Sequence, residues 1–431
     1  MADTALTQKA VNIINENAIN VWLLRSDKFK TNSISIFFHD NLNREHAALN
    51  ALLPMVLRRG TQELPTLQTV WAYLEELYGA SFDCGINKKG ESHIMFYYIE
   101  AIKDAYTMDN SSIISKAFKF ISDVLLNPVT QEGMFNNDYV AQEKDNLKRL
   151  IASRVNDKRR YATDRCYEEM CANERFGIYE YGNIENVDCI SNSALYSHYN
   201  TVLQTMPIDI FIVGDTDEET IMKMFYRYFD SINSVRNNII SPVTDSIYKD
   251  VTQPRKVFET MDVNQGKLCL GLRTNTSASD EDYYALVLCN GILGGGVHSK
   301  LFRNVREKAS LAYYAYSRLE RFKAIMLIGS GIEIDNYDKA TDIILKQIDE
   351  IKAGNISDFE YDSTVKSLET GLKSMMDSHV EMVDFSLSQS ISGNNIDPDE
   401  FIQKIKQITK QQIVNVAHKI KLDTIYFLTN K

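Results

Sequence analysis

Nowhere in the 431 residues does an uncharged apolar run reach the roughly 18 residues that crossing a bilayer requires, which argues against a spanning helix. The amino terminus, MADTALTQKAVNIINENAINVWLL, lacks an apolar core flanked by basic residues and a small-residue cleavage site. No signal peptide is expected, and the default compartment is cytoplasmic. Cys84, Cys166, Cys171, Cys189, Cys269 and Cys289 form no C-x-x-C pair; in a chain this long they are expected as reduced, buried thiols. The phosphate-binding pattern G-x-x-x-x-G-K-[ST] is missing, as is the G-x-S-x-G nucleophile elbow. Positive charge is in deficit: a net charge of −11 disfavours nucleic acid or an anionic membrane as the main partner, because both would repel the average surface.

What is present is ordinary for a globular protein, with 44% hydrophobic and 24% charged residues in a length that suits two domains. Residues 18–24 and 33–38 read as strands. Asn41 or Asn43 opens a helix to about Arg59, which Pro54 should kink or interrupt. Pro65 and Thr66 start an amphipathic helix that Gly79 stops, and two strands, 80–87 and 92–100, follow around the turn Lys88-Lys89-Gly90-Glu91. Helices are expected over 111–126, 135–157 and on to about Glu174, then 191–202, with a buried strand over 208–213.

The later half repeats the plan. Residues 267–272 read as a strand and 279–293 as a helix with Asp280, Glu281 and Asp282 in its first turn. A hairpin of 311–318 and 324–333 turns through Glu320-Arg321-Phe322-Lys323, and helices 337–353 and 358–377 follow. A shift of about 234 residues lays SISIFF on KLCLGL and one hairpin on the other, the signature of an internal duplication. Residues 1–231 and 255–431 are thus two similar domains joined by the aperiodic stretch 232–254. Hairpins with clustered helices indicate an α+β fold, each domain a mostly antiparallel sheet covered by helices on one face.

The stretch from Gly294 to Tyr316, GGGVHSKLFRNVREKASLAYYAY, organises the second half. Ser299 can cap a short helix ending near Arg306, with Leu301, Phe302 and Val305 on one face. Arg306 and Tyr313, seven residues apart, can converge on one oxygen atom such as a peptide carbonyl or a developing oxyanion. The glycine-rich turn, then LF, R-E-K and L-A-Y, resembles the second domain of the M16 metallopeptidases, the family of insulin-degrading enzyme, pitrilysin and the mitochondrial processing peptidases. The resemblance covers the whole chain in element order and implies the LuxS/MPP-like metallohydrolase fold. It also implies that Arg306 and Tyr313 hold peptide substrate beside a zinc site.

That zinc site needs H-x-x-E-H, two histidines four apart on one helix face and a carboxylate to polarise bound water. The motif is nowhere in the chain. With the ending VLRRGT registered on the family's, the histidine positions fall on Ala51 and Met55 and the general-base position on Pro54. The third ligand falls on Leu150, or on Arg149 if the register slips by one. None is a zinc donor of any strength. The resemblance therefore implies a non-catalytic subunit: no metal of its own, zinc only in a partner that carries H-x-x-E-H, and an extended peptide as the shared substrate. Among bacterial members it resembles the inactive half of a pair associated with modification of elongation factor P.

Two other readings stay open. One is a non-proteolytic peptide-binding or scaffold protein of the same fold, for which a homodimer would speak. The other is a hydrolase with a different metal site, for which His39, Glu45, His46 and His93 are the nearest set. His198, His298, His379 and His418 are scattered singly and read as structural. Glu75 with Glu76, and Glu168 with Glu169, are adjacent on helices and point apart. The basic tract Lys158-Arg159-Arg160-Tyr161, with Arg165, reads as a salt-bridged helix face that could also meet an acidic partner.

Overall fold

A computed structural model describes residues 9–108, 112–243 and 246–430. The leader reading of residues 1–8, the helix start at 111, and Thr244 and Asp245 of the linker lie outside them. The described residues form thirteen strands, most of them alternating or continuously apolar runs: β1 (Val11–Glu16), β2 (Ile19–Arg25), β3 (Thr31–Asn41), β4 (Ser81–Lys89), β5 (Ser92–Ile102), β6 (Thr130–Gln131), β7 (Met134–Phe135), β8 (Ile208–Gly214), β9 (Arg255–Thr260), β10 (Gly266–Arg273), β11 (Ala312–Glu320), β12 (Ile325–Ile332) and β13 (Lys421–Thr429).

The first half builds a sheet in the order β1-β2-β8-β3-β5-β4, and the second one in the order β11-β12-β10-β13-β9. Read from the other edge, the second sheet repeats the first strand for strand, with β1 the addition. Even the hand of pairing is kept, since β2–β8 and β9–β13 are the parallel pairs and the rest are antiparallel. The halves are therefore two homologous α+β domains. The edge strands β1 and β9 escape a periodicity reading because most of their side chains are exposed.

Each half covers one sheet face with its own helices. In the first half these are Ala47–Leu57, Ile113–Leu126, Asn192–Thr205 and Glu218–Val235, around a core that includes Ile36, Phe38, Leu52, Phe118, Ile121 and Phe225. In the second they are Tyr283–Gly294, Tyr337–Lys352 and Lys410–Lys419, around Leu270, Leu286, Ile292, Ile328 and Ile344. The opposite faces are covered by exchange. The first half's helix Lys158–Met170 packs Ala162 and Cys166 against Cys269, Leu327, Tyr426 and Leu428 of the second sheet. Gly271 makes room for it, since a Cβ there would lie 2.6 Å from Met170 Sδ. In return, His379–Ile391 of the second half packs Met382, Val383 and Leu387 against Leu24, Phe37, Ile94 and Phe211 of the first sheet. This explains why β8 and β12 are buried along their whole length, where one covered face would leave alternate residues exposed.

The hairpin turns of the two halves meet. A Cβ on Gly90 would come within 2.7 Å of Phe322 Cβ, and Glu91 and Lys323, the last residues of equivalent turns, form an ion pair at 2% and 1% side-chain exposure. Lys323 also reaches Glu174 at 2.8 Å; Glu174 takes Arg273 at 2.6 Å, and Arg273 takes Asp423 at 2.8 Å. Burial pushes the Glu174 carboxyl up, but hydrogen bonds from Arg273 and Lys323 outweigh it and hold the group below its ordinary value.

Several boundaries move. The helix expected to open at Asn41 or Asn43 begins at Ala47, because β3 extends to Asn41, and it runs through Pro54 unbroken to Leu57. The acidic triplet Asp280, Glu281 and Asp282 precedes the helix that starts at Tyr283, with Asp280 accepting from the Ser277 amide at 2.6 Å. Ile232 is still helical and buried, so the stretch without helix or strand starts at Arg236, after Val235.

Candidate functional site

The first corner of interest is the helix Ala47–Leu57, packed against Asn137–Ser153 and the β4–β5 hairpin. Ala51 is 3% exposed and seals the helix against the core, and Met55 is half-buried against the same cluster. Pro54 is buried and, lacking an N–H, leaves the Asn50 carbonyl without its helical donor. The Pro54 carbonyl accepts from the Cys84 thiol at 3.3 Å, and burial pushes that thiol up to about 12, so it stays protonated. Leu150 is 43% exposed on the facing helix. The buried carboxylate on that helix, Glu143, is held by Arg59 at 3.0 Å. A methyl, a pyrrolidine ring, a thioether and an isobutyl group do not make a zinc site. Among the described residues no three His, Cys, Asp or Glu side chains are arranged to hold a metal ion.

One turn earlier lies a polar cluster that pattern reading missed as a unit. Asn50 donates from Nδ2 to Asp40 Oδ2 at 2.8 Å and to His93 Nδ1 at 3.1 Å, and its Oδ1 accepts from His198 Nε2 at 2.7 Å. These bonds set the tautomers: His93 must be bare at Nδ1 and His198 protonated at Nε2. Burial lowers both imidazoles to about 4. His46 bonds Asp40 at 2.9 Å, and that bond raises the imidazole against the effect of burial. His39, next to Asp40 but on the opposite face of β3, pairs instead with Asp209 of β8 at 2.9 Å. The histidines thus take amide and carboxylate partners in a structural network at the base of the helix. The register Asp40↔His93 between β3 and β5 places two of its members opposite each other.

The second corner is the Gly294–Tyr316 stretch. A Cβ on Gly294 would fall 2.2 Å from the Ser317 nitrogen, so only glycine lets the end of the Tyr283–Gly294 helix lie against β11. The Ser299 hydroxyl accepts from the Phe302 amide at 3.4 Å. The following turn is a π-helix, Phe302–Lys308, which carries the chain past Arg306, where a helix end was expected. Leu301 and Val305 point into the core, while Arg306 is exposed and its guanidinium lies 4.6 Å above its own Phe302 ring. The β11–β12 register slips between Ala312 and Tyr314, which throws Tyr313 out of the ladder at 61% exposure. Its hydroxyl donates to Glu333 Oε1 at 3.3 Å. Among the described residues no hydrogen bond joins Arg306 to Tyr313; both side chains are exposed, on neighbouring elements.

Between the halves lies a cleft of about 1120 Å³, bounded by the edge strand β4 at Cys84–Lys88, the edge strand β11 at Tyr316–Glu320 and the Lys158–Met170 helix. The β11 tyrosines 314 and 316 lie flat over Gly331 and Gly329 of β12, where a Cβ would come within 2.5 and 2.6 Å of their rings. Arg159 stacks on both rings at 4.4 Å. The basic tract is otherwise a salt-bridged face: Arg165 binds Glu168, Glu169 and Glu259. All six cysteines are free thiols, four of them buried, with Cys84 half-buried and Cys189 exposed.

Comparison with known proteins follows the same line. Residues 190–368 match the family model described as "Peptidase M16 inactive domain". The Bacillus subtilis protein named "Probable inactive metalloprotease YmfF" is 35% identical over 406 residues, 94% of each chain. An uncharacterized zinc protease of Mycobacterium leprae is 23% identical over 319 residues, 73% of this chain and 70% of its own. Among solved structures, a conserved protein from Enterococcus faecalis has a TM-score of 0.88 at 27% identity over 98% of both chains. A peptidase M16 inactive domain from Pseudomonas fluorescens has a TM-score of 0.78 at 15% identity over 98% of both, a likeness of fold alone. No helix among the described residues is long and apolar enough to cross a membrane.

Proposed function

Because the chain belongs to the M16 peptidase family, we propose that it is a catalytically silent subunit that pairs with a relative carrying H-x-x-E-H and lends it Arg306 and Tyr313. The observation that carries this reading is the contrast between the corners. Where the family places its metal, Ala51 and Pro54 are packed and donor-free, whereas Arg306 and Tyr313 stand exposed. Arg306 has no carboxylate partner among the described residues. An exposed arginine and a tyrosine projected by a bulge give a folded chain little stability, which favours a role toward something outside it.

In the joined pair, Arg306 and Tyr313 would donate to the carbonyl oxygen of an extended peptide as it becomes an oxyanion. Removing one such donor costs about 3 kcal/mol of transition-state stabilisation, on the order of 10²-fold in turnover. The chain brings no metal and no general base. Its part is to orient the peptide and to stabilise charge at one oxygen.

The test begins with purification from the native cell and identification of what co-purifies in equal amount. A similar-sized chain with H-x-x-E-H supports the reading; Tyr313→Phe and Arg306→Ala in the reconstituted pair should then each lower peptide turnover without altering assembly. Unchanged turnover sinks the catalytic role. A protein recovered alone or as a homodimer leaves the scaffold reading as the better account.

A further inference from the structure

Among the described residues, two arginines of the cleft between the halves make no ion pair. Of its acidic residues, Asp157 caps the Arg159 and Arg160 amides at 3.1 and 3.0 Å, and Asp164 faces Arg154 at 3.3 Å. Glu180 lies 3.6 Å from Lys88 and 3.9 Å from Arg160. Glu320 accepts from the Phe322 amide at 3.2 Å, and burial pushes its carboxyl up, toward the neutral form. Every carboxylate is thus engaged or disfavoured as an anion. Arg159 and Arg318 remain: both are exposed to the cleft, and neither has an ion-pair partner among the described residues. Arg159 is fixed in place by the two tyrosine rings, which orient the guanidinium without cancelling its charge. Arg318 follows Tyr316 by two residues, so it stands on the same face of β11.

The other wall offers backbone. Among the described residues β4 pairs only with β5, which leaves its far edge without a strand partner. The Cys84 amide bonds its neighbour's Asp83 Oδ1 at 2.9 Å, which places it on the unpaired side, and alternation puts the Ile86 and Lys88 amides there too. An edge strand facing free arginines across about 1120 Å³ fits an extended chain that carries its own negative charge.

For an extended peptide laid along β4, as the reading above has it, we propose that Arg159 and Arg318 are carboxylate receptors that select acidic side chains. The proposal rests on the reading above in one respect, that the occupant is a peptide, and goes beyond it in assigning selectivity to residues other than Arg306 and Tyr313. A charge-assisted hydrogen bond from one exposed arginine corresponds to a preference of about tenfold.

The experiment measures fluorescence anisotropy of two labelled peptides on the full chain. Both are about ten residues long, near 33 Å when extended, one with glutamate at alternate positions and the other with glutamine. The glutamate peptide is expected to bind about tenfold more tightly. Arg318→Gln and Arg159→Gln should each reduce that preference while leaving the glutamine peptide's affinity unchanged, an outcome that loss of folding could not mimic. Equal affinities for the two peptides, a preference that survives in the double variant, or full displacement by a single-stranded oligonucleotide of equal charge would each overturn it. Turnover that depends on Tyr313 without any glutamate preference would defeat this inference alone. Glutamate preference in a chain that never pairs would defeat the accessory-subunit reading alone.

Discussion

The two halves share a sheet order and a helix plan, yet their functional corners have diverged in opposite directions. In the first, the helix after the long central strand is sealed: Ala51, Leu52, Leu53 and Pro54 are buried, and the nearby Cys84 thiol is spent on a backbone carbonyl. In the second, the element after the equivalent helix is opened. A glycine that cannot bear a Cβ, a π-turn and a bulge push Arg306 and Tyr313 into solvent. A duplicated fold can therefore pack one corner closed and leave the equivalent corner open. Apolar filling adds stability, at about 25 cal/mol per Å² removed from water, whereas exposed donors add little.

The largest expected effect breaks the buried ion pair between the two hairpin tips, one of the contacts that join the halves. Lys323→Ala leaves Glu91 and Glu174 buried without their ammonium and should cost about 3–5 kcal/mol, read as a lowered denaturant midpoint. A loss below ~1 kcal/mol would mean the hairpin tips are not the mechanical link between the domains. Next, filling each corner should hurt for opposite reasons. Gly294→Ala drives a methyl into the Ser317 backbone, and Ala51→His overfills a closed helix face; each should cost about 1–3 kcal/mol in thermal unfolding. If Ala51→His were neutral and the protein then bound zinc in stoichiometric amount, the first corner would be open after all.

A smaller effect comes from pH. His93 and His198 are neutral in the fold at about 4 and titrate near 6.5 when unfolded. The unfolded chain therefore binds more protons between those values, and stability falls as pH drops through that window, by at most about 1.4 kcal/mol per pH unit for each group. The raised imidazole of His46 acts in the other sense, adding stability below its unfolded value that is lost as pH rises through its folded one. Asp40, whose carboxyl burial raises but bonds from His46 and Asn50 lower on balance, adds to the acid loss below its unfolded value. His198→Gln keeps a donor for Asn50 and removes one titration, so its drop in urea midpoint from about pH 7 to about pH 5 should be shallower. The smallest effect is a null one: Tyr313→Phe loses only a long, exposed bond to Glu333 and should change stability by less than ~0.5 kcal/mol. A larger loss would assign Tyr313 to the fold.

Much of the plan was legible along the chain. The periodicity of SISIFF and KLCLGL, the paired hairpins and the order of helices after them all follow from local alternation and turn residues. The close approach of Gly294 to Ser317 is a contact between a helix end and a strand that the triple glycine permits. The network around Asn50 was not legible, because Asp40, His46, His93 and His198 come from two strands, a helix start and a distant helix. The exchange of helices was equally hidden. Ala162 and Cys166 mark an apolar face, as do Met382 and Val383, but a face says only that it must be covered.

The sequence by itself determined that Ala51, Pro54 and Leu150 offer no metal donor, because their side chains carry none in any conformation. It determined the duplication too, since repetition of a pattern is a property of the chain. Only the tertiary structure decided that Glu91 meets Lys323, that Arg159 lies on Tyr314 and Tyr316, and that Arg306 and Tyr313 stand apart and exposed. Those outcomes rest on contacts between residues more than a hundred positions apart, or on a bulge and a π-turn, which leave no period in the sequence to read.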